Sequence, residues 1–537
     1  MSNNKTLIQK LRYPLDKICS IDDKVIQRLE FSFKVIYLLE LLLAFNSLIA
    51  GAAIISIFNY FLVGFGVVLL LLRVIRYKDY IHMPYLPFLI AFVASMCISS
   101  LLNIKYGFIE NVQAIMWTTL QFGLLFVYNT KRDIEDIKKE LKLLAAIFCG
   151  YVLIANLVSF GMFFKNYGVF GHYSYNGNII GYVWGRLWGV YSDPNNGSVF
   201  CAVSVVMSFA AFLSTKKKLL YKVLLAINII IDFIYIKLSD SRTGIVVIFV
   251  GVVVVLFFVL RSYKATKQKP VSLVKDFVSL VLSCVISVSC IALVYVAQDC
   301  YNNIAISINN KIEQENQSLT QEPAGDEAPV TDEAPVTDEV PVTDEAPVTD
   351  EAPVTDEAPA TDEEPVAETK PNITIVYGRD EADIENDISN RRFSLWKSGL
   401  EIWKTAPVFG VSQRNIVAYT QDNLPETYMV NNDMGAFNST HNMFFDVIVS
   451  QGIVGFGILI ALFISFAIAV IKVFFIDKTK SKILSEPFNA AAIAVMCIVS
   501  CSCMFVLDVL YLNSASTFIF WSVLGYLSLL VKRSRES

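Results

Sequence analysis

Apolar segments about 20 residues long recur throughout this 537-residue chain, and they constrain its fold more than any other feature. A segment of that length spans the hydrocarbon core of a bilayer as an α-helix. Because lipid offers no partner for backbone polar groups, such spans form helices and not open sheets. The composition, 55% hydrophobic and 17% charged, agrees with this interpretation. We therefore expect an all-α, polytopic membrane helix bundle.

About twelve transmembrane helices are predicted from windows of apolar residues. They lie near residues 32–50, 53–75, 84–104, 108–128, 141–164, 197–214, 219–238, 243–261, 274–297, 452–475, 486–507 and 511–531. Lys and Arg cluster in every second connection, which indicates that those connections face the cytoplasm. The same rule places the N- and C-termini in the cytoplasm and the long loops, 165–196 and 298–440, outside.

Five regions follow from this topology: a cytoplasmic N-terminal tail (1–30), transmembrane helices 1–9 (31–297), a large extracellular loop (298–440), transmembrane helices 10–12 (441–531) and a cytoplasmic tail (532–537). The polar, basic start of the chain favours a tail over a cleavable signal peptide. Within the large loop, residues 389–406 predict an amphipathic helix on the membrane surface.

The large loop also contains a hexapeptide of the form DEAPVT that occurs six times from Asp326 to Thr361. Proline at every sixth position, repelling carboxylates and the absence of aromatic residues predict that residues 322–370 are a disordered acidic tether. It is interpreted as a spacer without a catalytic role, the alternative being a specific wall-binding or cation-binding segment.

Charge and cysteine placement exclude two other classes of protein. The acidic repeat accounts for the net charge of -5, and the remainder of the chain is basic, as anchoring to an anionic inner leaflet requires. No nucleic-acid partner is needed to explain that excess. Most of the ten cysteines fall within apolar spans, so they are interpreted as packing residues and not as a disulfide framework.

Four motifs on the predicted outer side carry the residues suited to chemistry. The first, Gly185–Ser198, places Arg186 before a DPNNG stretch whose Asp, Asn, Pro and Gly are typical of turns. The second, Ser239–Gly244, places Arg242 at the junction of two spans. By themselves, Arg186 could be an interfacial snorkelling arginine and Arg242 the partner of Asp240 in a structural ion pair.

The third motif, Arg391–Val411, begins with two arginines and continues as the predicted amphipathic helix. Cations at a helix N-terminus oppose the helix dipole, so Arg391 and Arg392 are better explained by an anionic partner. In the fourth motif, Ser439–Gly457, His441 and Asn442 precede a span, and the imidazole can accept a proton near neutral pH. The glycines that follow, Gly452 among them, are interpreted as sites of close helix packing.

Taken together and in this order, the PNNG corner, the SRTG junction, the RR…W…P.FG segment and the HN…QG..G segment resemble the O-antigen ligase and polymerase family of bacterial surface-glycan enzymes. The resemblance covers about residues 180–460. It implies inverting, metal-independent transfer of glycan from an undecaprenyl-diphosphate-linked donor to an acceptor hydroxyl, at the outer face of the bacterial plasma membrane. The acceptor would be a glycan, a lipid or the cell wall, and no cofactor is implied.

The positions that match the family's motifs are Arg186, Arg242, Arg391 and His441. His441 and Arg186 are the expected catalytic residues; the expected diphosphate ligands are Arg186, Arg242, Arg391, Arg392 and Arg414. Arginine suits this task because its guanidinium is permanently charged and donates bidentate hydrogen bonds to phosphate. Metal ligands are not expected.

Two alternatives come from other functional classes. A multi-spanning transporter or flippase of lipid-linked glycan would also have about twelve spans, but it calls for ionisable groups near the bilayer midplane. Only Glu40 and Asp232 lie well inside predicted spans. A surface-display protein based on the repeat leaves the arginine motifs unexplained. Within the enzyme interpretation, polymerase and ligase share a donor, so the sequence leaves both open, as it does the sugar, the type of envelope and the oligomeric state.

Overall fold

The computed structural model describes residues 21–168, 174–175, 177–216, 219–265, 273–319, 391–473, 483, 486–506 and 509–536. The acidic repeat and most of the N-terminal tail lie outside these residues, so the predictions made for them stay predictions. Two compact units divide the chain: Met1–Asn302 with Ile375–Ser537, and Asn303–Thr374. Every site residue discussed below belongs to the first unit.

The chain is an all-α polytopic membrane protein, as predicted. Its helices are α1 (Asp23–Ala44), α2 (Ala53–Ile75), α3 (Leu86–Leu102), α4 (Ile109–Leu120), α5 (Ile134–Phe164), α6 (Pro194–Ser214), α7 (Leu219–Leu238), α8 (Arg242–Ala265), α9 (Leu273–Leu319), α10 (Arg392–Thr405), α11 (Ile416–Asn423), α12 (Met443–Ile471), α13 (Pro487–Ser502) and α14 (Ala515–Glu536). A π-helical turn, Gln121–Phe126, continues α4.

A helix occupies each of the twelve predicted span positions. Eight helices in the described ranges are long and apolar enough to cross a membrane by themselves, namely α2, α5, α6, α7, α8, α9, α12 and α14. Helices α3 and α13 are apolar but shorter. The total of about twelve crossings therefore stays a prediction.

Two short antiparallel hairpins add strands that the sequence did not predict. Strand β1 (Ser174–Tyr175) pairs with β2 (Asn178–Ile179), and β3 (Gly181–Val183) pairs with β4 (Arg186–Gly189). Strands of two to four residues are too short to give a period-two pattern of hydrophobicity, which is why they escape sequence reasoning.

Side-chain caps fix where several helices begin. The carboxylate of Asp133 accepts a hydrogen bond from the backbone N–H of Glu135 and so caps α5. Asp193 caps α6 by accepting from the N–H of Asn196 at 2.8 Å, and Asn442 caps α12. Asp and Asn are favoured at this position because they satisfy N–H groups that have no partner within the helix. Two of these caps, Asp193 and Asn442, lie in the motifs that carry the candidate site residues Arg186 and His441.

Small residues let α6, α8 and α13 pack closely at the centre of the bundle. A Cβ atom at Gly244 would lie 2.5 Å from the Ser198 side chain, and one at Gly251 would lie 2.5 Å from Ile498. Close backbone approach through small residues is the usual way in which membrane helices gain packing energy, because lipid removes the hydrophobic drive between helices. This packing fixes the first turns of α6 and α8 relative to each other.

Helix α12 is broken at Gly452, whose φ is 61°. Beside the break, the N–H groups of Val411 and Ser412 donate to the carbonyls of Val449 and Ser450, each at 2.9 Å. A Cβ atom at Gly452 would collide with the backbone of Val408. The prediction that Gly452 serves helix packing is therefore wrong: this glycine opens the helix so that the segment after α10 can hydrogen-bond to it.

Candidate active site

Arg186 joins the first two sequence motifs. It lies on β4, and its Nε donates to the carbonyl of Ser239 at 2.9 Å while Nη2 donates to Oδ1 of Asn195 at 2.9 Å. The same Asn195 oxygen accepts from Oγ of Ser241 at 3.0 Å. Because Asn195 lies in the first turn of α6 and Ser241 precedes α8, these contacts hold the PNNG corner against the SRTG junction.

Arg242 is the first residue of α8 and is exposed. The N–H of Gly244 donates to Oγ of Ser241 at 2.9 Å, which fixes the start of this helix. On the other side of the junction, the hydroxyls of Ser198 and Ser239 lie 2.7 Å apart. The position of Arg242 is thus set by the same serine-rich junction that holds Arg186.

The two adjacent arginines at the start of α10 point to different surroundings. Arg391 stands outside the helix with φ of 65°, and its Nη2 lies 3.9 Å from Oδ2 of Asp433 at an exposed position. The guanidinium of Arg392 lies over the ring of Phe505, 5.7 Å from its centroid. Burial lowers the pKa of Arg392, Asp193 opposes this, and the charge of Arg242 lowers it further. Arg392 therefore lies within electrostatic reach of the first two motifs.

His441 belongs to the same cluster. The residue as a whole is exposed, and its ring meets the Phe437 ring edge-on at 6.1 Å. Burial by the surrounding protein lowers the pKa of His441, the positive charge of Arg392 lowers it further, and Asp193 raises it. The imidazole is consequently held neutral near pH 7 and is able to accept a proton.

Asp446, in the first turn of α12, holds the loop that carries His441. Its buried carboxylate accepts from Oγ of Ser439 at 2.7 Å, from the N–H of Thr440 at 2.7 Å and from Oγ1 of Thr440 at 3.0 Å. Ser439 Oγ in turn accepts from the N–H of His441 at 3.0 Å. His441 has φ of 54°, a left-handed value that is uncommon outside glycine and that the surrounding hydrogen bonds maintain.

Two carboxylates that act on the candidate site were missed by sequence reasoning. Asp193 was interpreted as part of a turn. Its negative charge, however, raises the pKa of both Arg392 and His441. Asp446 was not singled out. The only sequence signal for Asp446 is its spacing from Ser439 and Thr440, which fits an acid in the first turn of a helix.

The hydrogen bonds of Arg414 are made to residues outside this cluster. Arg414 belongs to a short 3₁₀ turn, Gln413–Asn415, and its Nη2 donates to the carbonyl of Tyr511 at 3.5 Å. Its N–H donates to Oδ1 of Asn111 at 3.2 Å. The contacts and charges thus connect four of the predicted residues: Arg186, Arg242, Arg392 and His441. Of the other two, Arg391 lies beside Asp433 and Arg414 contacts Tyr511.

Among the described residues, the cavity between α5, α6, α7 and α13 is separate from the candidate residues. This cavity of about 430 Å³ is lined mostly by apolar side chains and includes none of the candidate residues. Within the described ranges, no group of three or more His, Cys, Asp and Glu side chains is close enough to hold a metal ion. The candidate site is a cationic surface at the ends of α6, α8, α10 and α12.

Comparison with known proteins gives one family. Residues 227–460 match the family model described as O-antigen ligase. The match begins within α7 and ends within α12, so it contains Arg242, Arg392 and His441 but not Arg186. A search of curated proteins found no match.

Proposed function

We propose that this protein transfers glycan from an undecaprenyl-diphosphate-linked donor to an acceptor hydroxyl, because residues 227–460 match the O-antigen ligase family model. Its function is of the membrane O-antigen ligase or polymerase type. The proposal adds that the reaction takes place at the outer face of the bacterial plasma membrane, with the N- and C-termini cytoplasmic.

The observation that carries the proposal is the grouping of guanidinium groups from three separate motifs beside one imidazole. Arg186 is tied to the start of α8, where Arg242 lies, and the charges of Arg242 and Arg392 interact. An anion that binds among grouped cations relieves the repulsion between them. A departing diphosphate is such an anion, and arginines stabilise it more strongly as its charge develops.

His441 is suited to act as the base. The acceptor hydroxyl loses its proton to the neutral imidazole while its oxygen attacks the anomeric carbon from the face opposite the diphosphate. The bond from that carbon to the phosphate oxygen breaks, and undecaprenyl diphosphate leaves with inversion. Asp193, which raises the pKa of His441, favours the imidazolium that forms. Because arginines supply the positive charge, the proposed reaction needs no metal and no cofactor.

Arg391 and Arg414 are proposed to assist in holding the donor, because both side chains are permanently charged and exposed. Arg391 has an exposed, long ion pair with Asp433, and Arg414 is exposed. Such weak surface contacts cost little to exchange for a phosphate. Their contribution is therefore proposed to be smaller than that of Arg186, Arg242 and Arg392.

The transporter or flippase alternative is favoured by two buried carboxylates in predicted spans, Glu40 and Asp232. Asp232 accepts hydrogen bonds from Asn156 at 2.9 Å and Asn228 at 3.1 Å. These amides satisfy the carboxylate in place, which suits a structural role. The arginines and His441 favour the enzyme, since transport of a glycan has no need for a base beside an anion site.

Turnover of lipid-linked glycan by the purified protein in nanodiscs tests the proposal. Arg186→Ala and His441→Ala are each expected to abolish transfer, and deletion of the repeat from Asp326 to Thr361 is expected to preserve it. Lys165→Ala, which removes an exposed cation outside the cluster, is the matched control. Normal turnover by both site variants would refute the assigned site. The product separates the two reactions, because a polymerase lengthens chains and a ligase moves them to a new anchor.

A further inference from the structure

The hairpin that carries Arg186 is closed by an unusual two-residue loop. Val183 pairs with Arg186, and the residues between them, Trp184 and Gly185, have φ of 53° and 68°. Two positive φ values define the type I′ turn, in which Asn and Gly are the favoured residues. A bulky aromatic side chain in this conformation is rare and strained. Such conformations cluster at binding and active sites, which makes this indole a candidate for a role in binding.

Trp184 and Trp188 present their rings on the face of the hairpin that carries Arg186. Along β4 the burial alternates, so Leu187 and Gly189 pack inward while Arg186 and Trp188 are partly open. The Trp184 side chain is 63% exposed, and its ring meets that of Trp188 at 6.1 Å with an interplanar angle of 73°. Trp184 and Trp188 therefore flank Arg186 in sequence, and their indoles lie on the same face of the hairpin as the arginine.

The hairpin is held firmly to the bundle. The N–H of Val190 donates to Oγ of Ser159 on α5 at 3.1 Å, and Tyr235 on α7 donates its hydroxyl to the carbonyl of Trp188 at 3.2 Å. Gly189 lies so close to Ser159 that a Cβ atom would collide with that side chain. The indoles are thus fixed relative to Arg186, as a binding surface requires.

We propose that Trp184 and Trp188 form a carbohydrate-binding platform for the sugar of the donor that is attached directly to the diphosphate. The proposal rests on the proposed function, because it uses Arg186 as a diphosphate ligand. A pyranose ring has an apolar face of C–H groups that packs on the large, flat face of an indole, which removes both surfaces from water. A sugar bonded to a phosphate held by Arg186 would meet these rings first.

An exposed tryptophan near a membrane can instead serve as an interfacial anchor, which depends on lipid and not on glycan. The two roles predict different ligands. A sugar platform contributes to binding of the donor lipid that carries glycan but not to binding of the same lipid without glycan. An anchor treats both alike.

The test measures binding of two probes to the full-length protein in nanodiscs: lipid-linked oligosaccharide extracted from the source cells, and undecaprenyl diphosphate without sugar. Trp184→Ala is expected to weaken binding of the glycan-bearing lipid by about tenfold and to leave binding of the bare lipid unchanged. Trp184→Asn is the second variant. Because Asn suits this turn, the variant should have a melting temperature at least as high as the wild type while showing the same loss.

Tyr60→Ala, which removes a 79% exposed ring on α2, is the control and is expected to change neither binding. Equal weakening of both probes by Trp184→Ala, or no weakening of the glycan-bearing probe, would overturn the platform. Arg186→Gln is expected to weaken both probes. If the wild type binds both probes and Trp184→Ala has no effect, only the platform fails; if the wild type binds neither, the proposed function fails as well.

Discussion

The charge of Arg392 lowers the pKa of the His441 imidazole, although Arg392 begins α10 and His441 lies in the loop before α12. Burial is the larger cause of the lowering, and Asp193 acts in the opposite direction. A lowered pKa means that the imidazole stays neutral to a lower pH than an ordinary histidine does. The site thus keeps its base available while concentrating the positive charge that a diphosphate needs.

Arg392→Met should shift the pH dependence of catalysis. Removing the guanidinium removes one cause that lowers the pKa of His441, so that pKa rises and the base becomes protonated at higher pH. The acid limb of the plot of kcat/KM against pH, which reports groups of the free enzyme, is expected to move to higher pH. Overall kcat/KM should also fall, because the donor loses a ligand.

Lys397→Met is the matched control for that variant. Lys397 lies on the same helix, its side chain is 80% exposed, and its Nζ lies 4.0 Å from Glu401. Lys397→Met should change neither kcat/KM nor the pH at which its acid limb lies. An unmoved acid limb in Arg392→Met would show that His441 is not the group that titrates in catalysis.

Asp446→Asn should slow the chemical step more than it weakens donor binding. The amide cannot accept every hydrogen bond that Ser439 and Thr440 now donate, so the loop before His441 loses its fixed position. Misplacing a catalytic group by about 1 Å can cost roughly 100-fold in rate. Steady-state kinetics should therefore show kcat reduced by about that factor with KM little changed. A purely structural carboxylate would instead lower the melting temperature and the amount of active protein at unchanged kcat.

Gly452→Ala should destabilise the protein, whereas Gly457→Ala should not. Gly452 has φ of 61° and leaves no room for a Cβ atom beside Val408, while a Cβ atom at Gly457 would have nothing within 4 Å. The left-handed conformation alone costs an alanine about 1–2 kcal/mol. Thermal unfolding in detergent should show a lower melting temperature for the first variant and an equal or higher one for the second. Equal melting temperatures would contradict the role given to the break in α12.

Chelation of divalent metals should leave transfer unchanged. The positive charge in the proposed mechanism comes from Arg186, Arg242 and Arg392, which no chelator removes. Initial rates in the presence and absence of excess EDTA, measured with purified protein in nanodiscs, check this. Loss of turnover that Mg²⁺ or Mn²⁺ restores would show that a metal ion carries part of the role assigned to the arginines.

The helical membrane body could be predicted from sequence because apolar length and internal hydrogen bonding leave few other solutions. The exact starts of α6 and α12 were not predicted: these helices begin at the caps Asp193 and Asn442, whereas the predicted spans began at residues 197 and 452. What else escaped prediction depends on contacts between distant segments. Gly452 looks like a packing glycine until the segment around Val411 is seen to pair with the opened helix.

The candidate site shows the same limit. The sequence indicated which arginines to consider but could not separate Arg391 from Arg392, because neighbouring residues at a helix start point in directions set by the local backbone. Arg391 has a left-handed φ and faces Asp433, whereas Arg392 faces Phe505. Asp193 had a sufficient explanation as a turn residue, and only the fold brings its charge beside His441.

A structure of the protein bound to undecaprenyl diphosphate would test the central claim most directly. We predict density for the diphosphate in contact with the guanidinium groups of Arg186, Arg242 and Arg392, with the His441 ring facing the position of the departed sugar. Density for the diphosphate at any site remote from these side chains would contradict the account.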